Sequence, residues 1–249
     1  MTPPPRAWAL VTGGGRRLGR ALVDACADAG YAVAVHVHRS VTAGEEAVAA
    51  LRRRGGEACL VVGDLTFEPE RLVAELVQAG RPPTLLVNNA ARFDHDRLAT
   101  LRPEGFDRQM AVNLRAPLLL SQAFVAALPA ASSGQIVNLI DQRILRPDPN
   151  YLTYGLTKAA LWALTRNLAL ELAPRIRVNA LAPGMALPDE AMDAAAAARI
   201  VDRFPLRRGG GVDEVVAAFR YLLEAPSVTG QLLCVDGGAH LGRRAPDRD

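Results

Sequence analysis

Ala7-Trp8-Ala9-Leu10-Val11-Thr12-Gly13-Gly14-Gly15-Arg16-Arg17-Leu18-Gly19 starts as a compact apolar run and ends in a cluster of glycines. Such a run suits a strand buried on both faces. The stretch from Leu18 to Ala29 then predicts a helix, with Leu22, Val23 and Cys26 on its apolar side and Gly30 as its stop. Strand, glycine turn and helix in that order form a phosphate-binding device. The glycines let the backbone approach a pyrophosphate, and the helix start supplies donors and partial positive charge. A glycine turn alone also occurs as plain structure, so the remaining chain has to decide.

Outward from this unit the same alternation continues. Strands are expected over Tyr31 to Val37, Cys59 to Val62, Thr84 to Val87, Gln135 to Ile140, Arg177 to Ala182 and Leu232 to Val235. Helices are expected over Ala43 to Arg54, Pro69 to Gln78, Glu104 to Leu128 with a kink or break at Pro117, and Tyr151 to Ala173. Alternation at intervals of about thirty residues predicts one Rossmann-type α/β domain with a doubly wound parallel sheet of about seven strands. Residues 1–6, rich in proline, read as an extended arm, 185–210 as a substrate lid containing a helical alanine run, and 243–249 as a loose polar tail.

The chain has 249 residues, enough for one well-buried core. Half are hydrophobic and the net charge is +3, with the basic residues scattered, which gives no footprint for nucleic acid. Cys26, Cys59 and Cys234 lack metal-ligand spacing and suit a reducing compartment. No 18-residue apolar run reads as a membrane span, and no signal peptide is evident. A cytoplasmic protein is expected.

Ligands of open parallel sheets bind beyond the carboxyl ends of the strands. The second strand ends in His36-Val37-His38-Arg39-Ser40, with no acid between Tyr31 and Gly44. An NAD enzyme usually places Asp or Glu there. Here Arg39, His38 and Ser40 can meet a 2′-phosphate, so NADPH is the expected cofactor. A surface basic cluster is the bland alternative. Arg17 is a second candidate arginine, and Asp64 can accept from an adenine amino group. Tyr154 and Lys158 stand four apart, on one face of a helix. A free tyrosine ionises near pH ~10, and an ammonium one turn away favours the phenolate. The pair therefore reads as a positioned acid for chemistry near neutral pH.

Together these residues resemble the short-chain dehydrogenase/reductase family over essentially the whole chain. The matching pieces are Thr12-Gly13 through Gly19, Asn88-Asn89-Ala90, Asn113, Tyr154 to Lys158, Pro183-Gly184 and Val235-Asp236-Gly237-Gly238. The resemblance implies that Tyr154 donates a proton, that Lys158 lowers its pKa and holds the nicotinamide ribose, and that Asn113 orders a water relay. It further implies cofactor contacts from Gly13, Arg17, Leu18, Gly19, His38, Arg39, Ser40, Asp64, Leu65, Asn89, Ala90, Ala91, Tyr154, Lys158, Pro183 and Gly184. A homotetramer is implied in the same way.

Two departures narrow the reading. Arg17 stands where the family usually has glycine, and Asp141 replaces the usual serine thirteen residues before the tyrosine. A serine hydroxyl donates to a substrate carbonyl. A carboxylate only accepts, and beside a developing alkoxide it repels. Asp141 therefore argues for a substrate with N–H donors or a ring nitrogen that takes a proton. Both departures, with Phe93, resemble the pteridine reductases and dihydromonapterin reductases. That resemblance implies a pterin between nicotinamide and Phe93, contacted by Arg17, Asp141 and Tyr154. It implies NADPH-dependent reduction of 7,8-dihydropterins, with dihydrofolate as a related substrate. The rival readings are a general carbonyl or 3-oxoacyl-carrier reductase and a non-catalytic NADP(H)-binding protein.

Overall fold

The computed structural model describes residues 7–186 and 193–242. The expected arm, the tail and residues 187–192 of the expected lid lie outside those residues. Seven strands form one parallel sheet in the order β3-β2-β1-β4-β5-β6-β7. They are β1 (Trp8–Val11), β2 (Ala32–Val37), β3 (Ala58–Val62), β4 (Pro83–Asn88), β5 (Gly134–Leu139), β6 (Ile176–Pro183) and β7 (Leu232–Val235). The strand order reverses at β1, which pairs with β2 on one side and β4 on the other. That switch point is where the glycine turn stands.

Alternate strand residues supply the two faces. Ala9, Val11, Val33, Val35, Leu85 and Val87 pack under α1 (Arg17–Asp28), α2 (Val41–Arg53) and α8 (Val212–Glu224). Trp8, Leu10, Ala34, Leu86, Ile136 and Val178 face α3 (Arg71–Gln78), α5 (Ala116–Ala127) and α6 (Leu152–Glu171). Burial on both faces explains why each strand reads as a continuous apolar run. α8 falls where no element was expected, although Val215, Phe219 and Leu222 repeat at helical spacing and are buried.

The expected long helix after β4 is three pieces: α4 (Pro103–Met110), a π-helical turn (Ala111–Arg115) and α5. The cause is Pro117, which has no N–H to offer the carbonyl of Asn113 four residues back. Within Pro103–Ala127 an 18-residue window reaches a mean hydropathy of 1.3, so by length and composition alone the run would pass for a membrane span. Its Ala116, Leu120 and Phe124 are fully buried against the sheet, so it serves as a core helix. α7 (Ala194–Val201) carries the expected alanine run.

Candidate active site

The glycine turn is tied down from two sides. Thr12 Oγ1 accepts the N–H groups of Asn89 and Ala90, and Asn89 Nδ2 donates to the carbonyls of Thr12 (2.8 Å) and Gly13 (3.2 Å). Asn89 thus acts by joining the β4 end to the turn. From β2, His36 Nδ1 accepts the Gly13 N–H at 3.2 Å, which places its proton on Nε2 for the Gly63 carbonyl at 3.1 Å. Burial pushes the His36 pKa down to about 4 and keeps this bridge neutral. The close approach requires glycine at two points. Gly13 has φ +65°, and a Cβ on Gly19 would fall 2.0 Å from the Gly13 carbonyl oxygen.

Arg17 holds φ +51°. The arginine keeps the left-handed backbone that glycine would adopt freely, a conformation that costs about 1–2 kcal/mol and concentrates at functional positions. Arg17→Gly is expected to raise unfolding free energy by about 1 kcal/mol or less, since glycine also frees the unfolded chain, while lowering turnover. Denaturant melts check it: a destabilised Arg17→Gly means that the arginine's contacts outweigh the strain.

A cavity of about 730 Å³ opens beside the turn. Gly13, Arg16, His38, Arg39, Ser40, Asp64, Leu65, Ala90 and Ala91 all line it. Arg16, Arg39 and His38 give its wall cationic and donor groups that could hold a phosphate, and Asp64 gives it an acceptor. Arg16, unlike Arg17, is among the lining residues, and sequence reasoning passed over it. His38 is engaged with Asp64 at 3.5 Å. Burial pushes the Asp64 carboxyl up, but donors from Thr66 and the charges of His38 and Arg39 outweigh that and hold it low. Leu65 lines the cavity although it is nearly buried. At the β6 end, Gly184 packs so closely on Asp236 that a Cβ would meet it at 2.7 Å.

The reacting end lies over β5 and α6. Tyr154 is 6% exposed, and its hydroxyl donates to Asp141 Oδ2 at 3.2 Å. Asp141 also accepts the Arg143 N–H on Oδ1 at 2.8 Å and Arg143 Nη1 on Oδ2 at 3.0 Å. Asn113 is fully buried in the π-helical turn. Its side chain exchanges hydrogen bonds with the Arg92 backbone and donates to Thr157 Oγ1 at 3.1 Å. The amide therefore clamps the β4–α4 segment to α6.

Phe93 is 42% exposed and stacks on Tyr151 with centroids 4.3 Å apart, edge-on to Tyr154 at 4.7 Å. One face of the expected pterin platform is thus covered by Tyr151. Neither Tyr151 nor Arg143 was a sequence candidate. The Asp141-x-Arg143 spacing, with an acid able to cap the next turn, was the available signal.

One expectation is corrected. The Tyr154 pKa is raised well above its ordinary value near 10, by burial first and by Asp141 second. The charge that opposes this rise is Arg143, whereas the Lys158 ammonium donates to the Leu139 carbonyl at 2.6 Å and stands 5.6 Å from the Tyr154 ring centroid. Burial, only partly opposed by Asp141, pushes the Lys158 pKa down from 10.5 to about 8. The lysine is therefore charged below about pH 8 and neutral above it in the free protein, while still charged in the unfolded chain up to 10.5. Between those values the unfolded state binds more protons, so stability rises with pH. A cofactor grip by this ammonium weakens over the same range. kcat/KM for NADPH, which reports the free enzyme, is expected to fall above pH about 8. A flat profile to pH 10 would remove the ammonium from binding.

A family model described as enoyl-(acyl carrier protein) reductase matches residues 15–240. The chain belongs to the short-chain dehydrogenase/reductase family and is an NADP(H)-dependent oxidoreductase. Within the family it falls in the pteridine reductase branch. The crystal structure of FolM alternative dihydrofolate reductase 1 from Brucella canis, complexed with NADP, is 42% identical with a TM-score of 0.92, covering 97% of this chain and 96% of that one. The Brucella suis protein, also with NADP, matches equally at 42% and 0.92, covering 96% and 97%. Dihydromonapterin reductase of an Enterobacter species is 30% identical over 97% of this chain and all of its own. A 3-oxoacyl-[acyl-carrier-protein] reductase of Synechocystis is 32% identical over 92% and 95%.

Proposed function

We propose that the protein reduces 7,8-dihydropterins, of the dihydromonapterin or dihydrobiopterin type and with dihydrofolate as a further substrate, to tetrahydropterins with NADPH. The observation that carries this is the buried carboxylate of Asp141 hydrogen-bonded to the Tyr154 hydroxyl. A ketone reductase needs a hydroxyl donor at that place; a carboxylate serves a ring edge that presents N–H groups.

Arg39 and Ser40, with Arg16, hold the 2′-phosphate, and Lys158 holds the nicotinamide ribose. When bound, NADPH would supply the hydride that C6 of the C6=N5 double bond needs. The chain's own residues supply the rest. Asp141 accepts from the pterin's polar edge, Phe93 covers a face of the ring, and Arg17 contacts the ring and the cofactor phosphates. Tyr154 passes its O–H proton to N5 as the double bond's electron pair moves there. A phenol with a raised pKa keeps its proton until that nitrogen becomes strongly basic. The phenolate is reprotonated from water. With a fully oxidised pterin the same pair serves N8 while C7 is reduced.

The test is NADPH oxidation with 7,8-dihydromonapterin, 7,8-dihydrobiopterin and dihydrofolate against a panel of ketones and 3-oxoacyl thioesters. Turnover of the ketones or thioesters alone would sink the pterin reading. The reading includes a cytoplasmic homotetramer, for which light scattering of the purified protein gives the assembly.

A further inference from the structure

We propose that Arg143 is a positioning residue of this site: it neutralises Asp141 and fixes the Asp141–Tyr154 pair in the geometry from which the phenol gives up its proton. This rests on that pair as the proton-delivering unit, but not on the identity of the acceptor.

Asp141 lies two residues past the end of β5 and caps the 3₁₀ turn Gln142–Ile144, so Arg143 is the second residue past it. Backbone and side chain of Arg143 together occupy both carboxylate oxygens, at 2.8 Å and 3.0 Å. Oδ2 is the oxygen that Tyr154 also uses. The side chains of Arg143 and Asp141 are only 26% and 12% exposed, so water screens the pair weakly.

The guanidinium is itself held in place. Its carbon lies 5.2 Å from the ring centroids of both Phe93 and Tyr151, which are 4.3 Å apart. It therefore flanks the stacked pair, where it can touch both rings. Asp148 approaches its Nε at 3.8 Å from the other direction. Arg143 thus joins the β5 end, the Phe93 segment and the start of α6.

The need for such a residue is electrostatic. A lone carboxylate against a buried phenol binds the proton more firmly to the phenol. Among the described residues, the charged groups facing Tyr154 are Asp141 at the cap of the 3₁₀ turn, Arg143 within that turn and Lys158 from its own helix. Asp141 pushes the phenol's pKa up and Arg143 pulls it down. Lys158 gives one of its three N–H groups to the Leu139 carbonyl. The replacement of serine by aspartate is thus compensated two residues later.

The experiment is a double-mutant cycle on the full-length protein, assayed by NADPH oxidation with 7,8-dihydromonapterin and, in parallel, with the ketone panel. Arg143→Met is expected to lower kcat on the order of 30-fold, with KM for NADPH unchanged and a larger solvent deuterium isotope effect on kcat. Arg143→Lys should recover part of the loss. With Asp141→Asn as the parent, Arg143→Met should cost less than about threefold, because the charge it compensates is gone. Equal losses in the two parents, or an unchanged isotope effect, overturn the proposal. If only ketones are reduced, the pterin reading fails while the cycle still judges Arg143. Should Arg143→Met not fold, Arg143→Gln carries the same cycle.

Discussion

Tyr154→Phe is expected to cut turnover by about 10³-fold while NADPH affinity changes by less than about threefold, the range over which a positioned general acid acts. The substitution removes one oxygen and no ring volume. Tyr154 is buried, with its ring edge-on to Phe93, and those contacts remain. Asp141 Oδ2 loses the phenol at 3.2 Å but keeps Arg143 Nη1 at 3.0 Å, so no carboxylate oxygen is left unpaired. Stability should therefore move by no more than about 1 kcal/mol, the net worth of one hydrogen bond. The loss must then fall on the proton transfer. Isothermal titration of NADPH and steady-state assays separate the two quantities. A loss of tenfold or less would place the proton source elsewhere, in water ordered near the site.

The fold was legible because its strands are buried on both faces. Ala32–Val37 and Pro83–Asn88 carry no outward polar alternation, and the second runs straight on into Asn89. The glycine turn was legible for the same reason, since Gly13 and Gly19 meet needs that no other residue satisfies. What spacing could not give was the direction of long side chains. Four residues place Tyr154 and Lys158 on one face, yet the lysine reaches back to a strand carbonyl, and the phenol answers to Asp141 instead. Tyr151 and Arg143 escaped notice because they meet Phe93 only after the loops that follow the neighbouring strands β4 and β5 converge. Pro117 announced a disturbance, but a π-helical turn as its form depends on how Asn113 is clamped between Arg92 and Thr157.

Arg39→Glu is expected to change the NADPH/NADH preference by about 10²–10³-fold, because it replaces an attraction with a repulsion at one point. Two unit charges about 4 Å apart interact by about 1–4 kcal/mol between water and a partly screened protein surface, and reversal counts that energy twice. Arg39 lies just past β2 and faces the cavity together with Arg16 and Ser40. Arg16 remains in the variant, which sets an upper bound on the change. NADH lacks the 2′-phosphate and presents hydroxyls there, which a glutamate can accept. Its kcat/KM should hold or rise while that for NADPH falls. The loss should shrink at high salt, as Debye screening shortens the reach of exposed charges. The chemistry at Tyr154 lies at the other end of the cofactor, so kcat at saturating cofactor should stay within about threefold of the parent, the pattern of lost uniform binding. An unchanged NADPH/NADH ratio would take the phosphate away from Arg39 and leave Arg16 to carry it.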